Sequence, residues 1–387
     1  MNKTYDLPKG FVIILAMLTS ISPLAVDTYL PSFLQISKSF STSIANIEQT
    51  LSVYLLGLAI GQLFGGPLSD KYGRKRFIFI GIFIYILFSI LISFSTSIEQ
   101  MLIFRFFQAI GGGFAIVNTN AIVRDIYHGN KAAKVFSIIS MIMMIAPMLA
   151  PAIGSVIVSF YSWNMIFVFM AFYAFVLSFL ISKLPETSPK TKKSKPFSNY
   201  AEILKDKKSI YLILANGFSF SGLFIFIGKS SFIYMDFYKV GVNVFPILFG
   251  LNVVTLIIFS KLNIKLLETK SSLSLFKTAV FFQLLCAVLL VATINIHSLY
   301  LTLVLIMIYV GLLGMIFANS SALLLEDYKH ISASANALNG VAGFFIASVC
   351  GYIASLFHDG SLYPVFIMMF LTALIAIINL NIFSRKK

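Results

Sequence analysis

Gly66-Pro67-Leu68-Ser69-Asp70-Lys71-Tyr72-Gly73-Arg74-Lys75-Arg76 is a short charged stretch set between two long apolar runs, residues 44–66 and 77–95. Each run is about 20 residues, the length that a helix rising about 1.5 Å per residue needs to cross a hydrocarbon core of about 30 Å. The stretch therefore reads as a turn at a membrane surface. Outward from it, the same alternation of apolar run and polar break recurs along the chain. It predicts spans near 10–33, 44–66, 77–95, 100–121, 134–159 and 164–182, then near 210–235, 244–264, 274–294, 299–323, 333–357 and 361–383. The expected fold is an all-α polytopic membrane protein with twelve transmembrane helices. Only 11% of the 387 residues are charged, against about 25% in soluble domains. The longest polar stretch, roughly residues 183–208, is too short to bury a core of its own, so no soluble catalytic domain is expected.

The net charge of +15 would suit nucleic acid, but its placement speaks for topology. Lysines and arginines gather at Lys3 and Lys9, between Lys71 and Arg76, at Arg124, Lys131 and Lys134, from Lys183 to Lys208, between Lys261 and Lys277, at Lys329, and at Arg385, Lys386 and Lys387. The alternate loops hold only Lys38 and Lys239. Cytoplasmic loops carry the positive excess, so both termini face the cytoplasm and no nucleic-acid partner is implied. The organisation expected is an N-terminal six-helix half over 1–182, a cytoplasmic linker over 183–209 and a C-terminal six-helix half over 210–387. Two halves in parallel repeat suggest a transporter with its substrate cavity at the midplane between them. The letters show no strong echo of one half in the other. Cys286 and Cys350 both fall in apolar runs, where a free thiol packs as a small hydrophobe. Residues 11–26 lack a following small-x-small cleavage site and read as the first span, not as a leader.

Gly66–Arg76 resembles motif A of the major facilitator superfamily in its Gly-x-x-x-Asp-basic-x-Gly-Arg-basic pattern and in its place between the second and third spans. The same residues also serve as a tight turn with topogenic charge. The resemblance implies a cytoplasmic latch built from Gly66, Asp70, Gly73 and Arg74. Its glycines would allow a close turn, and Arg74 would be the ion-pair companion of Asp70. Asp70 would act as an anion at a helix N-terminus, in the family that of the eleventh helix, expected here to begin near Ser332 as N-cap. In the fifth span, Ala146-Pro147-Met148-Leu149-Ala150-Pro151-Ala152-Ile153-Gly154-Ser155 resembles the antiporter signature, with Pro147, Pro151 and Gly154 as its marks. Ala146, Ala150 and Ser155 stand where glycines are usual. The Ala-Pro-x-x-Ala-Pro form is similar to that of the bicyclomycin-resistance subfamily of drug:proton antiporters. Val26–Pro31, Tyr54–Leu63, Arg105–Gly111 and Asn319–Leu323 resemble further segments of that subfamily.

Charges within a membrane are costly and usually functional. Away from the span ends, three fall inside the predicted spans: Asp27, Arg105 and Lys229. Asp27 is then the only buried acid and the candidate proton carrier. Relatives often have a second acid earlier in that helix, where Thr19 and Ser20 offer only hydroxyls. Arg105 with Gln108 resembles motif B, in which a permanent cation tunes the neighbouring acid; an arginine bonded to carbonyls is the alternative. Lys229 departs from the family pattern. It is read either as a gate residue paired with Asp27 or as a lysine snorkelling to the outer surface. Tyr29, Gln108, Asn118, Phe220 and Asn319 are candidate substrate-cavity residues, the amides because an amide in hydrocarbon needs a partner.

No phosphate-binding loop, metal-ligand cluster or nucleophile-base pair is visible, so neither a cofactor, a metal nor an enzymatic activity is expected. The resemblance implies proton-coupled multidrug efflux by alternating access from a bacterial cytoplasmic membrane. Its partners would be a drug-like small molecule, protons and lipid, and the protein would act as a monomer. An amino acid, siderophore or sugar derivative is the alternative cargo, and a membrane-embedded enzyme the alternative of a different class.

Overall fold

The computed structural model describes residues 7–8, 10–127, 129–187 and 196–386. Lys3, Lys9, His128, Lys387 and linker residues 188–195 lie outside them. Among the described residues, twelve helices are long and apolar enough to span a membrane: Phe11–Ser39, Ile44–Tyr72, Arg74–Ser93, Ile98–Ile126, Gly129–Phe160, Asn164–Ser182, Lys207–Phe237, Phe245–Leu266, Ser272–Ala292, Leu299–Asp327, Lys329–Leu356 and Tyr363–Arg385. They are numbered spans 1 to 12. Several run longer than their apolar cores because polar residues cap them. Ser97 accepts from the Gln100 N–H at the start of span 4, Asp206 from the Lys208 and Ser209 N–H groups at span 7, and Ser271 and Ser298 do the same at spans 9 and 10. Each cap satisfies N–H groups that the helix itself leaves orphaned.

Three local expectations change. Span 2 continues as helix to Tyr72, so Gly66 lies inside it and only Gly73 separates it from span 3. A Cβ on Gly66 would meet Val117 at an ordinary 3.6 Å, so Gly66 is not required for a close turn. The linker, expected as a charged connection, contains a helix over Pro196–Lys205. Its Tyr200 and Ile203 are buried. Glu202 bonds His330 at 2.9 Å and the Asn199 amide donates to Ser334 at 3.1 Å, which seats the helix on the start of span 11. That span is preceded by a 3-10 turn, Lys329–Ile331, which makes Ser332 its first helical residue and not its N-cap.

The chain divides into two compact units, Met1–Phe40 with Val53–Lys195, and Ser41–Ser52 with Pro196–Lys387. The first turns of span 2 thus belong to the second unit, although the sequence places them in the first half. In the first unit, span 1 packs on spans 4, 5 and 6, and span 3 on spans 4 and 6. In the second, span 7 packs on spans 10, 11 and 12, and span 9 on spans 10 and 12. The pairing repeats six spans later, an internal repeat that no run of letters reveals. Close approaches repeat as well. A Cβ on Gly61 of span 2 would lie 2.6 Å from the Ile110 carbonyl oxygen of span 4, and one on Gly314 of span 10 would lie 2.7 Å from that of Leu256 in span 8. Phe83, Phe172 and Phe179 point outward and remain exposed, as lipid-facing side chains do.

Candidate functional site

Arg105 is wholly buried in the first unit. Its guanidinium lies 4.2 Å from the centroid of the Tyr29 ring and 4.3 Å from that of Tyr54. It donates to Gln108 Oε1 at 2.8 Å and to the Ala25 carbonyl at 3.1 Å. The Gln108 amide in turn donates to Ser89 Oγ at 2.7 Å. A planar cation suits such a cradle, because two ring faces and two directed acceptors can hold it without a carboxylate. Tyr29 and Gln108, expected in a cavity, are therefore buried against the arginine.

Asp27 ends the regular helix of span 1 and is 3% exposed, and its Oδ1 has no hydrogen-bond partner. Among the described residues no cation pairs with it. The structure does not join Arg105 to Asp27 in an ion pair: the arginine holds the carbonyl of Ala25, two residues earlier. On the other side of Asp27, the Thr28 carbonyl abuts Gly154 so closely that no Cβ fits there. Gly154 continues the buried face of Ala146 and Ala150, whose four-residue spacing puts small side chains toward span 1 while Pro147 and Pro151 stay within the helix. The acid is thus bracketed in the chain, with the Ala25 carbonyl before it fastened to Arg105 of span 4 and the Thr28 carbonyl after it packed on Gly154 of span 5. Thr19 bonds its own helix, and the Ser20 hydroxyl meets Tyr173 at 2.7 Å.

At the other end of the first unit, Arg74 pairs with Asp70 at 2.7 Å and with Asp125 at 2.6 Å, and donates to Ser69 at 3.2 Å. Thr187 donates to the same Asp125 oxygen. The anion at the N-terminus of span 3 is Glu186. Its two oxygens accept the Arg74 and Lys75 N–H groups at 3.0 and 3.1 Å, where span 3 begins, and its negative charge complements the helix dipole. Gly73 is required there twice over. Its φ of 105° is one that side chains rarely adopt, and a Cβ would fall 2.8 Å from Glu186 Oε2.

In the second unit, Lys229 is 2% exposed, which overturns the snorkelling reading. Its partner is Glu48, with Nζ and Oε2 2.5 Å apart, rather than Asp27, and the ammonium also contacts His358 Nδ1 at 3.2 Å. Glu48 is 3% exposed, so Asp27 is not the only buried acid. Amides form a further polar core. The Asn216 amide donates to Asn339 at 3.2 Å and accepts from Ser320 at 2.9 Å, and Asn319 donates to Asn263 at 2.6 Å. Phe220 sits among Phe224, Phe317 and Phe344 beside this core. Asn118, in the first unit, bonds only back to its own helix at Phe114, and its Oδ1 is unsatisfied.

Sequence reasoning missed Glu48, Asp125, Glu186 and the role of His358. A signal existed for Glu48. It shares a helical stripe with Ile44, Ile47, Leu51 and Leu55, all buried, and so had to be buried with them. Asp125 follows Arg124 at a span end, where either solvent or an ion pair would satisfy it. Nothing local marks Glu186.

The described residues hold no group of His, Cys, Asp and Glu side chains able to bind a metal ion. Residues 15–352 match the Major Facilitator Superfamily. The chain is 33% identical over 371 residues to the uncharacterized MFS-type transporter YdgK of Bacillus subtilis, covering 94% of this chain and 92% of that protein. It is 30% identical to a bicyclomycin resistance protein homolog of Haemophilus influenzae, over 89% and 88% of the two chains. It is 32% identical to the multidrug resistance protein MdtL of Citrobacter koseri, over 58% of each. Among solved structures, the peptide transporter POT in complex with sulfate superposes with a TM-score of 0.78 at 12% identity, over 99% of this chain and 95% of that one. The xylose transporter XylE from E. coli gives 0.74 at 12%, over 97% and 96%. These likenesses share one helical architecture across different cargoes, and with the matched family profile they make this chain a member of the Major Facilitator Superfamily, a multi-pass secondary transporter of small molecules and not an enzyme.

Proposed function

We propose that the transporter exports drug-like molecules in exchange for protons across a bacterial cytoplasmic membrane, as the names of its bicyclomycin-resistance and MdtL relatives suggest. The observation that carries this reading is the bracketed position of Asp27. One carboxyl, buried and without an ion-pair partner, lies between the backbone contacts made by Arg105 of span 4 and Gly154 of span 5. An ionised carboxyl in such a place is costly unless it is satisfied, so gain or loss of a proton must be felt by the helices that enclose it. A transmembrane potential of about 150 mV supplies about 3.5 kcal/mol per charge moved, enough for roughly a 300-fold gradient of cargo.

Everted vesicles loaded with protons and a pH-sensitive dye test the proposal. A transported drug should discharge the stored protons, and Asp27→Asn should abolish that discharge while leaving drug binding. Export that persists after both the proton gradient and the membrane potential are collapsed would overturn it. Proton discharge by amino acids, siderophores or sugar derivatives, and by no drug, would reassign the cargo. We assign the Asp70–Arg74–Asp125 cluster to the conformational cycle. Asp70→Ala should slow transport with drug affinity unchanged.

A further inference from the structure

We propose that Glu48, Lys229 and His358 form a proton-responsive clamp that holds the first turns of span 2 on span 7 and lets go when the cluster takes up a proton. The inference concerns an opening device and does not depend on which cargo moves or whether protons drive it. The geometry specifies the protonation state. An ammonium has three donors and no acceptor, so its 3.2 Å contact with His358 Nδ1 requires that nitrogen to be unprotonated. The same nitrogen lies 4.0 Å from Glu48 Oε2. The clamped cluster is therefore one cation, one anion and a neutral imidazole, with no net charge.

A proton on either acceptor ends that balance. On Glu48 it removes the only anion facing Lys229 in the cluster, and Glu48 Oε1, buried and without a hydrogen-bond partner, is the oxygen open to receive it. On His358 it sets a second cation against the ammonium. Either way a net positive charge is left at Lys229 and Glu48, both nearly excluded from water, a state relieved by letting water in. The other charged groups around His358 are Asp359, its neighbour in the chain, and Asp236 at the end of span 7; the Phe232 ring packs edge-on against it at 4.5 Å. Burial, with Lys229 beside it, pushes the imidazole down from an ordinary 6.5 to about 4. The clamped form thus keeps His358 neutral at pH values where a released imidazole takes up a proton, and acid favours release. The positive-inside pattern puts this cluster toward the exterior, the side that a respiring cell makes acidic.

The full-length protein in nanodiscs, with no cargo and no gradient, tests the clamp. Cys286 and Cys350 are replaced by Ala, and spin labels are placed at Ser43→Cys and Val244→Cys for distance measurement from about pH 8 to about pH 5. The short-distance population should fall with acid, its ratio to the released population changing about tenfold per pH unit for each proton linked. Glu48→Gln should show the released distances at every pH. His358→Gln, which keeps an acceptor for Lys229 but not the titration, should move the transition to lower pH. If Glu48→Gln does not fold, the exchange Glu48→Lys with Lys229→Glu decides: it should restore the short distance at pH 8. A wild-type distribution that does not change with pH, or a His358→Gln or exchanged protein that behaves against these expectations, would overturn the clamp. Proton discharge in vesicles is a separate readout, so the failure of either idea is distinguishable from failure of the other.

Discussion

Each unit of this transporter buries one cation deep in its helices, and the two are held by different means. Arg105 has no carboxylate. Two tyrosine faces, one amide oxygen and one backbone carbonyl surround it. Lys229 has a carboxylate at 2.5 Å and an imidazole at 3.2 Å, both of which gain or lose protons. The first arrangement fixes a permanent charge beside an acid that is left unpaired. The second joins charge and acid in one pair. A fixed cation stabilises one geometry in all conditions, whereas a pair that depends on ionisation is stable only while both members keep their charges.

The largest expected effect breaks the second arrangement. Lys229→Met alone strands the Glu48 carboxylate and should cost about 3–5 kcal/mol of stability. Combining it with Glu48→Gln removes both charges and should return most of that loss. A double-mutant cycle on thermal unfolding in detergent measures the coupling. Additive effects would mean that the pair is not a unit.

Arg105 provides the matching test, with a smaller expected effect. Arg105→Lys keeps the charge but loses the planar fork that reaches Gln108 and Ala25 together and the flat face that stacks between two rings. A destabilisation of about 2 kcal/mol is expected, and the proton-coupled export proposed above should be lost with it, because the fastening of span 4 beside Asp27 goes too. Unchanged export by the lysine variant would show that charge alone, without the directed contacts, is what span 1 needs.

The sequence made this contrast only half visible. Twelve apolar runs separated by charged turns predicted the spans, since hydrocarbon excludes unsatisfied backbone whatever its neighbours are. The cations were equally plain, because Arg105 and Lys229 stand alone in long apolar stretches. Their partners were not. Glu48 sits only four residues into its span, where a carboxylate is as readily solvated as buried, and its helical stripe settles the matter only when Ile44, Ile47 and Leu51 are read with it. His358 lies in a turn more than a hundred residues from Lys229, and Glu186 reaches the start of span 3 from beyond span 6. Pairings at such separations are set by how helices pack, and that packing repeats between the units while the letters do not.

The smallest effect concerns acid and sharpens the difference between the two cations. The folded protein holds His358 at about 4 against an ordinary 6.5, so between those values the unfolded chain binds the proton and the folded one does not. The contribution of neutral His358 to stability is therefore complete above about pH 6.5 and is lost as pH falls from there toward 4. His358→Gln should remove this slope, leaving the variant less acid-sensitive relative to its own value at pH 8. Because the side chain is only partly shielded, solvent screening keeps the effect well below that of Lys229→Met. Arg105→Lys leaves His358 in place and should therefore keep the wild-type slope over the same interval. Unfolding midpoints of the wild type and the two variants across that range check both expectations. A His358→Gln profile parallel to the wild type would mean that the imidazole near Lys229 meets water well enough to titrate as it would in the unfolded chain.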